Sequence, residues 1–359
     1  MLRHLEVVDL RCIRFAELEL DPRCTIITGA NGSGKSSLLE AIHVLGYGRS
    51  FRTSKLERLV RLGANELRVV GHVGIGARDQ TLGVRVELAN RGRGCRVEGR
   101  LAGTPVRGFA DLALALPIEV IDPSVHGLIE DGPERRRRFL DRGLFHVEPQ
   151  YLEVWRRYQR ALKQRNTALA NMEAGEAVHA WDNELLSQGA RLTEWRQNYV
   201  QSISHVFREY AASLAGLVVQ MSLQPGWKEN SFEDALNHAW QRDSQAGYTT
   251  VGPHRADLAI EIENQPVQHH VSRGQQKMLA CGLVLSQVKQ LQGALSDGPC
   301  LLIDDPAAEL DVDKLATFLG QVAAMPSQLV ITSLDGAQLF DRFAGCAFHV
   351  EQGEVTRLV

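Results

Sequence analysis

The stretch Gly29-Ala30-Asn31-Gly32-Ser33-Gly34-Lys35-Ser36 constrains this chain more than any other, because it fills every fixed position of the phosphate-binding pattern G-x-x-x-x-G-K-[ST]. Its flanks have the required order. Thr25-Ile26-Ile27-Thr28 predicts a short β-branched strand entering the loop, and Ser37-Leu38-Leu39-Glu40-Ala41-Ile42-His43-Val44-Leu45 predicts a helix leaving it. Glycines let the backbone wrap closely around phosphates with its N–H groups inward, and the helix dipole adds positive potential there. Residues Gly29 to Ser37 are therefore the expected nucleotide-binding segment, for ATP. Lys35 is expected to reach the β- and γ-phosphates as a catalytic cation, and Ser36 to hold Mg²⁺ through its hydroxyl.

The chain has 359 residues, 44% hydrophobic and 23% charged, which is ordinary for a globular protein and long enough for two or three domains or for one large head with an insertion. It contains no uninterrupted apolar run of membrane-spanning length, and the acids in Met1-Leu2-Arg3-His4-Leu5-Glu6-Val7-Val8-Asp9 argue against an export signal. The six cysteines lack any close C-x-x-C pair, so they read as reduced thiols of a cytoplasmic protein rather than as a zinc site. Net charge is −3, so any nucleic-acid binding must rely on a local patch.

Residues 4–20 alternate as two strands, His4 to Leu10 and Phe15 to Leu20, joined by the basic turn Arg11-Cys12-Ile13-Arg14. After the loop helix, Gly48-Arg49-Ser50-Phe51-Arg52 places Arg49 and Arg52 about an aromatic residue, which suits either a solvated loop or a DNA contact. Antiparallel strands are expected at Leu67 to Val73 and Gly83 to Leu88, with Asn90-Arg91-Gly92-Arg93-Gly94 as a loop, and a further strand at Pro117 to Asp122. A helix beginning Pro133-Glu134 carries Arg135, Arg136, Arg137 and Arg138, which suit a solvated or salt-bridged face and a phosphate contact equally. Two amphipathic stretches, Tyr151 to Leu169 and Trp181 to Leu214, predict an antiparallel helical hairpin over about 149–215. The outer face of its first helix is expected to present Arg156, Arg157, Arg160, Lys163 and Arg165 as the best local positive patch, and a strand is expected from Thr250 through Glu263.

Cys300-Leu301-Leu302-Ile303-Asp304-Asp305 is an apolar strand ending in two acids. Asp304 is placed to hold Mg²⁺, and Asp305 to orient or deprotonate an attacking water as the catalytic carboxylate. Upstream, Ser272-Arg273-Gly274-Gln275 opens a helix from Met278 to Leu291. With these residues in place the chain resembles the ABC-type ATPases, whose S-x-G-Q signature presents its Ser and Gly backbone to ATP held by a second subunit. Glu309-Leu310-Asp311 falls at their D-loop, and Gln328-Leu329-Val330-Ile331-Thr332-Ser333 supplies the next core strand and its switch position.

Within that class the chain resembles the RecF family of bacterial recombination mediators over essentially its whole length, including Gly132 to Asp141 and Gly252-Pro253-His254-Arg255-Ala256-Asp257-Leu258. The resemblance implies an α/β fold, an ABC-type P-loop head of mixed sheet with an antiparallel part, spanning 1–121 and 246–359, and a short helical arm at 122–245. It implies an ATP-dependent homodimer that uses Mg²⁺ and binds DNA at single-strand gaps. It also implies partnership with RecR, and indirectly with RecO, in letting RecA replace single-strand-binding protein. Transporter-type ATPases carry Glu where Asp305 stands and His where Thr332 or Ser333 stands, which points to slow hydrolysis, and no Q-loop glutamine lies near Asp122-Pro123. Rival readings are a transporter ATPase subunit, a module in which ATP is a structural ligand, and a P-loop kinase.

Overall fold

A computed structural model describes residues 1–75, 78–89, 94–295, 298–308 and 310–358. Glu309 and residues 90–93, expected in the D-loop and in an inter-strand loop, lie outside the described residues. The chain divides into two units, Met1–Val125 with Val288–Val359, and His126–Gln287.

In the first unit a six-stranded sheet has the spatial order Glu354–Arg357, Cys346–Glu351, Cys24–Thr28, Leu329–Ser333, Cys300–Ile303 and Ile118–Ile121. All neighbours run parallel except the outermost Glu354–Arg357. Parallel strands are covered on both faces and so read as continuous apolar runs. Cys300–Ile303 and Leu329–Ser333 are buried at every position. A second, antiparallel six-stranded sheet starts Ile13–Glu19, Leu2–Leu10, Glu66–Ile75, Arg78–Leu88 and Cys95–Leu101. Its inward side chains, among them Leu5, Val7, Leu67, Val69, Val84 and Val86, share one core with the helix Lys35–Tyr47 and the parallel sheet. Gln328, 1% exposed, fastens the two sheets: its Oε1 accepts from the Leu2 amide (2.8 Å) and its Nε2 donates to the carbonyls of Leu2 (2.6 Å) and Asp21 (3.0 Å).

The second unit holds the hairpin, helices Tyr151–Ala170 and Asp182–Tyr210, with a short helix Gly175–His179 in the connection between them. It also holds the helix Pro133–Val147 and a three-stranded sheet with Asp257–Ile262 between Gln220–Gln224 and Gln265–Pro266. Residues 246–287 group with this unit rather than with the head as expected, and the return falls at 287/288. The cause is local bonding. Asp257–Ile262 pairs with Gln220–Gln224, and Asp257 is gripped through both carboxylate oxygens by Arg136 (2.7 and 2.9 Å).

Two further expectations change, and of the readings left open for the arginine run the salt-bridged one is seen. The strand begins at Asp257, not Thr250, because side chains capture the preceding backbone: Arg196 donates to the Pro253 carbonyl (2.7 Å) and Arg137 to that of Ala256 (2.7 Å). The arginine run is committed internally, with Arg135 on Asp131, Arg136 on Asp257 and Arg138 on Glu134. Arg165 does not face outward. It is fully buried and bonded to Asp182 (2.9 Å), Asp243 (2.9 Å) and Thr249 (2.8 Å), since a buried guanidinium requires carboxylate partners.

His254 Nε2 donates to the Thr249 carbonyl (3.0 Å), so Nδ1 accepts from the Tyr158 hydroxyl (2.7 Å). Burial pushes this imidazole, and that of His146, down to about 4. Both stay neutral in the folded protein, while the unfolded chain takes up protons below pH 6.5. Stability is therefore complete above that pH and falls as acid is added toward pH 4, by up to about 3 kcal/mol per imidazole. Urea titrations across this range should show His254→Gln losing less stability than wild type on acidification; equal losses would refute the assignment.

Candidate nucleotide site

The parallel register carries the loop strand and the acidic strand to the same edge of the sheet. Ile26 lies opposite Ile331, and Ile331 opposite Ile303, so Thr28, Thr332–Ser333 and Asp304 end side by side. The loop from Gly29 then turns back under its own glycines. Gly29 (φ 148°), Gly32 (φ 79°) and Gly34 (φ 123°) occupy conformations that side chains disfavour. A Cβ on Gly29 would lie 2.2 Å from the Val350 carbonyl oxygen. The helix starts at Lys35, where Ser37 and Leu38 donate to the Gly34 carbonyl (3.0 and 3.2 Å).

Lys35 folds over the loop and donates to the carbonyls of Gly29 (2.7 Å) and Ala30 (3.0 Å). Burial pushes its ammonium below the usual range, against the opposing pull of the Asp305 and Asp304 carboxylates. The buried Ser33 hydroxyl has no hydrogen-bond partner among the described residues. A glycine cradle, a buried cation and an orphaned hydroxyl suit a polyphosphate.

Asp304 Oδ1 accepts from the Ser36 hydroxyl (2.7 Å) and from the Thr332 hydroxyl (2.8 Å). Thr332 Oγ1 in turn accepts from the Asp305 amide (3.0 Å). Thr332 thus fixes both acids, a role that the switch position alone did not reveal. Asp305 sits in the left-handed region at φ 46°, which strains a non-glycine residue and fixes the direction in which its carboxylate leaves the strand end. Ser36 and Asp304 supply the hard hydroxyl and carboxylate oxygens that Mg²⁺ prefers, and they meet at hydrogen-bonding distance.

In the second unit, Ser272 and Gln275 form a reciprocal capping box. The Ser272 amide donates to Gln275 Oε1 (3.0 Å) and the Gln275 amide to Ser272 Oγ (3.3 Å), at the start of the helix Arg273–Ala294. Ser272 and Arg273 are exposed, with Gly274 half-buried.

Of the residues expected at DNA, Arg49 is exposed and Arg52 lies 3.6 Å from Glu40. Arg156, Arg157, Arg160 and Lys163 are exposed along one helix, and the three arginines line an open groove of about 490 Å³ with Leu152 and Glu153. Arg157 is held by Glu184 (2.6 and 3.0 Å). Arg11, Glu40 and Ser50 form a polar cluster that the sequence reading missed. The one signal was an acid, Glu40, inside an otherwise apolar helix.

A glycine loop delivering Lys35 and Ser36 to the paired acids at the end of a parallel strand one removed in the same sheet, backed by an antiparallel sheet, defines a P-loop head of the ABC type. Residues 1–353 match the family described as RecF/RecN/SMC N terminal domain. The chain is 38% identical to the DNA replication and repair protein RecF of Stenotrophomonas maltophilia (strain R551-3), covering 99% of this chain and 98% of that one. It belongs to the RecF family. A solved structure of the recombination mediator protein RecF with ATP superposes with a TM-score of 0.87 at 24% identity, covering 100% of this chain and 97% of that one. The Smc head bound to the C-winged helix domain of ScpA follows with a TM-score of 0.61 at 17% identity, covering 99% and 97%. These two likenesses establish the shared head fold.

Gly29→Ala should abolish binding of a fluorescent ATP analogue while leaving circular dichroism near wild type, because the added methyl collides with Val350 backbone. Retained affinity would show that the loop adjusts without cost.

Proposed function

We propose that this chain is an ATP-dependent, DNA-binding recombination mediator with slow ATPase activity. The observation that carries the reading is the unbroken chain from Ser36 through Asp304 to Thr332 and the Asp305 amide, which joins the phosphate loop to both acids. In use, the loop amides and Lys35 hold the phosphates, and Ser36 and Asp304 hold Mg²⁺. Mg²⁺ supplies charge neutralisation at the phosphates. Asp305 orients the attacking water, and Thr332 keeps both acids in register. An aspartate is shorter than the glutamate of fast relatives in the class, and a threonine cannot act as the switch histidine does, so turnover is slow.

The name carried by the relatives and the exposed arginines support DNA as the partner, in replication and repair. Two subunits, each with ATP on its own Lys35, close so that Ser272, Arg273, Gly274 and Gln275 complete the other's site. The closed pair grips DNA at single-strand gaps, and hydrolysis opens it. Nucleotide shifts this equilibrium only through contacts that differ between the open and closed states, and the signature residues provide them. In the RecFOR pathway named for the solved relative, RecR and indirectly RecO would join it in exchanging single-strand-binding protein for RecA.

Light scattering with and without ATP and Mg²⁺ tests the dimer. Mass should double for wild type and not for Ser272→Arg; a mass indifferent to ATP in both, with ATP still bound, would leave ATP as a structural ligand. In single turnover, Asp305→Asn should slow hydrolysis by roughly a hundredfold or more, the order expected for a group acting on the nucleophile. An unchanged rate would remove its catalytic role.

A further inference from the structure

Glu40 is the least expected residue of the first unit. It sits on the helix that begins at Lys35, its side chain is 0% exposed, and an ionised carboxylate tolerates such burial only when fully partnered. Its partners come from two separate loops. Arg11 donates through Nε (2.6 Å) and Nη2 (2.9 Å), the Ser50 hydroxyl donates at 2.5 Å, and Arg52 Nη1 approaches to 3.6 Å.

The segment that follows the helix is therefore built onto it. Ser50 Oγ, while donating to Glu40, accepts from the amides of Arg52 (2.9 Å) and Thr53 (3.1 Å), a tight hydroxyl-capped turn. One turn further along the helix, His43 Nδ1 donates to the Arg49 carbonyl (2.6 Å), and the Phe51 ring meets the imidazole edge-on at 5.5 Å. From the other side, the hairpin turn that carries Arg11 holds Asp9 and Arg11 in the left-handed region (φ 54° and 53°). Backbone bonds from Arg11 to Leu59 and from Arg61 to Asp9, with an Arg61–Asp9 ion pair, tie that turn to the segment after the loop.

The charge count at this point is uneven. One carboxylate serves two guanidiniums, Arg11 holds it with two hydrogen bonds, and Arg52 is left at ion-pair distance with its side chain 45% exposed beside the exposed Arg49. Two cations fixed on a rigid turn, one of them only loosely paired, suit a ligand with regularly spaced negative charges.

We infer that Glu40 and Ser50 are positioning residues for a nucleic-acid backbone contact made by Arg49 and Arg52. Arg52 leans on Glu40 without being consumed by it, and turns to a phosphate when a strand arrives. Arg11 and Ser50 then keep the buried carboxylate satisfied. The inference rests on the DNA reading above and adds to it the residues that hold the contact in place.

The test measures binding of a labelled single-stranded oligonucleotide by fluorescence anisotropy across a salt series, in the presence of ATP and Mg²⁺. Arg52→Ala should weaken binding several-fold and reduce the slope of log affinity against log salt by about one, the signature of one lost phosphate contact. Glu40→Gln tests the carboxylate directly. Because it alters a buried ion pair, Ser50→Ala serves beside it: it frees the turn, leaves Arg11 on Glu40, and should weaken DNA binding several-fold with ATP affinity unchanged. Ser50→Thr should restore binding. A Ser50→Ala protein with wild-type affinity and salt slope, or an Arg52→Ala protein with an unaltered slope, would overturn the inference. Absence of DNA binding by the wild type would overturn the DNA reading itself, a distinct result.

Discussion

Asp304 Oδ1 accepts two hydroxyls at once, from Ser36 of the phosphate loop and from Thr332 of the neighbouring strand, and the head is organised so that this can happen. Parallel pairing brings three strand ends together, with Thr28 beside Ser333 and Ile303, just before Asp304, beside Ile331. The glycine loop then needs only one turn to set Ser36 against the acid. Each residue in that chain is bonded to another that is itself buried, so the polar groups have little freedom to rearrange. Such preorganisation suits charge stabilisation in a dry site, where fixed donors act without first reorienting.

The same logic explains the second unit, at larger scale. Arg136, Arg165 and Arg196 are buried among Asp257, Asp182, Asp243 and Asp141; Arg136 also bonds the carbonyls of Leu128, Ile129 and Asp131, and Arg196 that of Pro253. A buried guanidinium is costly unless carboxylates and carbonyls engage it, and a group so held admits few alternative packings. Segment 249–256 has little regular structure of its own and takes its shape from these side chains.

Local chemistry was legible in the sequence wherever a rule acts over a few residues. Positive φ demands glycine at 29, 32 and 34, a buried parallel strand reads as Cys300-Leu301-Leu302-Ile303, and Ser272 with Gln275 forms a cap across a single turn. Long-range pairing was not legible. Arg165 shares the helix with Arg156, Arg157, Arg160 and Lys163, and partners further along the chain, Asp182, Asp243 and Thr249, turn it inward. For the same reason the Pro133 helix reads as a solvated basic run until Asp257 and Asp131 are seen beside it. Glu40 is the intermediate case: its place in an apolar helix announced an exception without naming Arg11 or Ser50.

The central position of the loop strand bears on how the chain is made. Cys24–Thr28 is flanked by Leu329–Ser333 on one side and Cys346–Glu351 on the other, so an early segment waits for two neighbours that lie far along the chain. Gln328, which clasps Leu2 and Asp21, arrives as late. The unit His126–Gln287 is continuous in sequence, whereas the first unit must leave its sheet open until Leu329–Ser333 and Cys346–Glu351 appear. A ribosome-stalled or truncated chain consequently lacks the sheet that shapes its phosphate loop. The phosphate loop thereby takes its shape only after strands from far along the chain have joined the sheet on both sides of it.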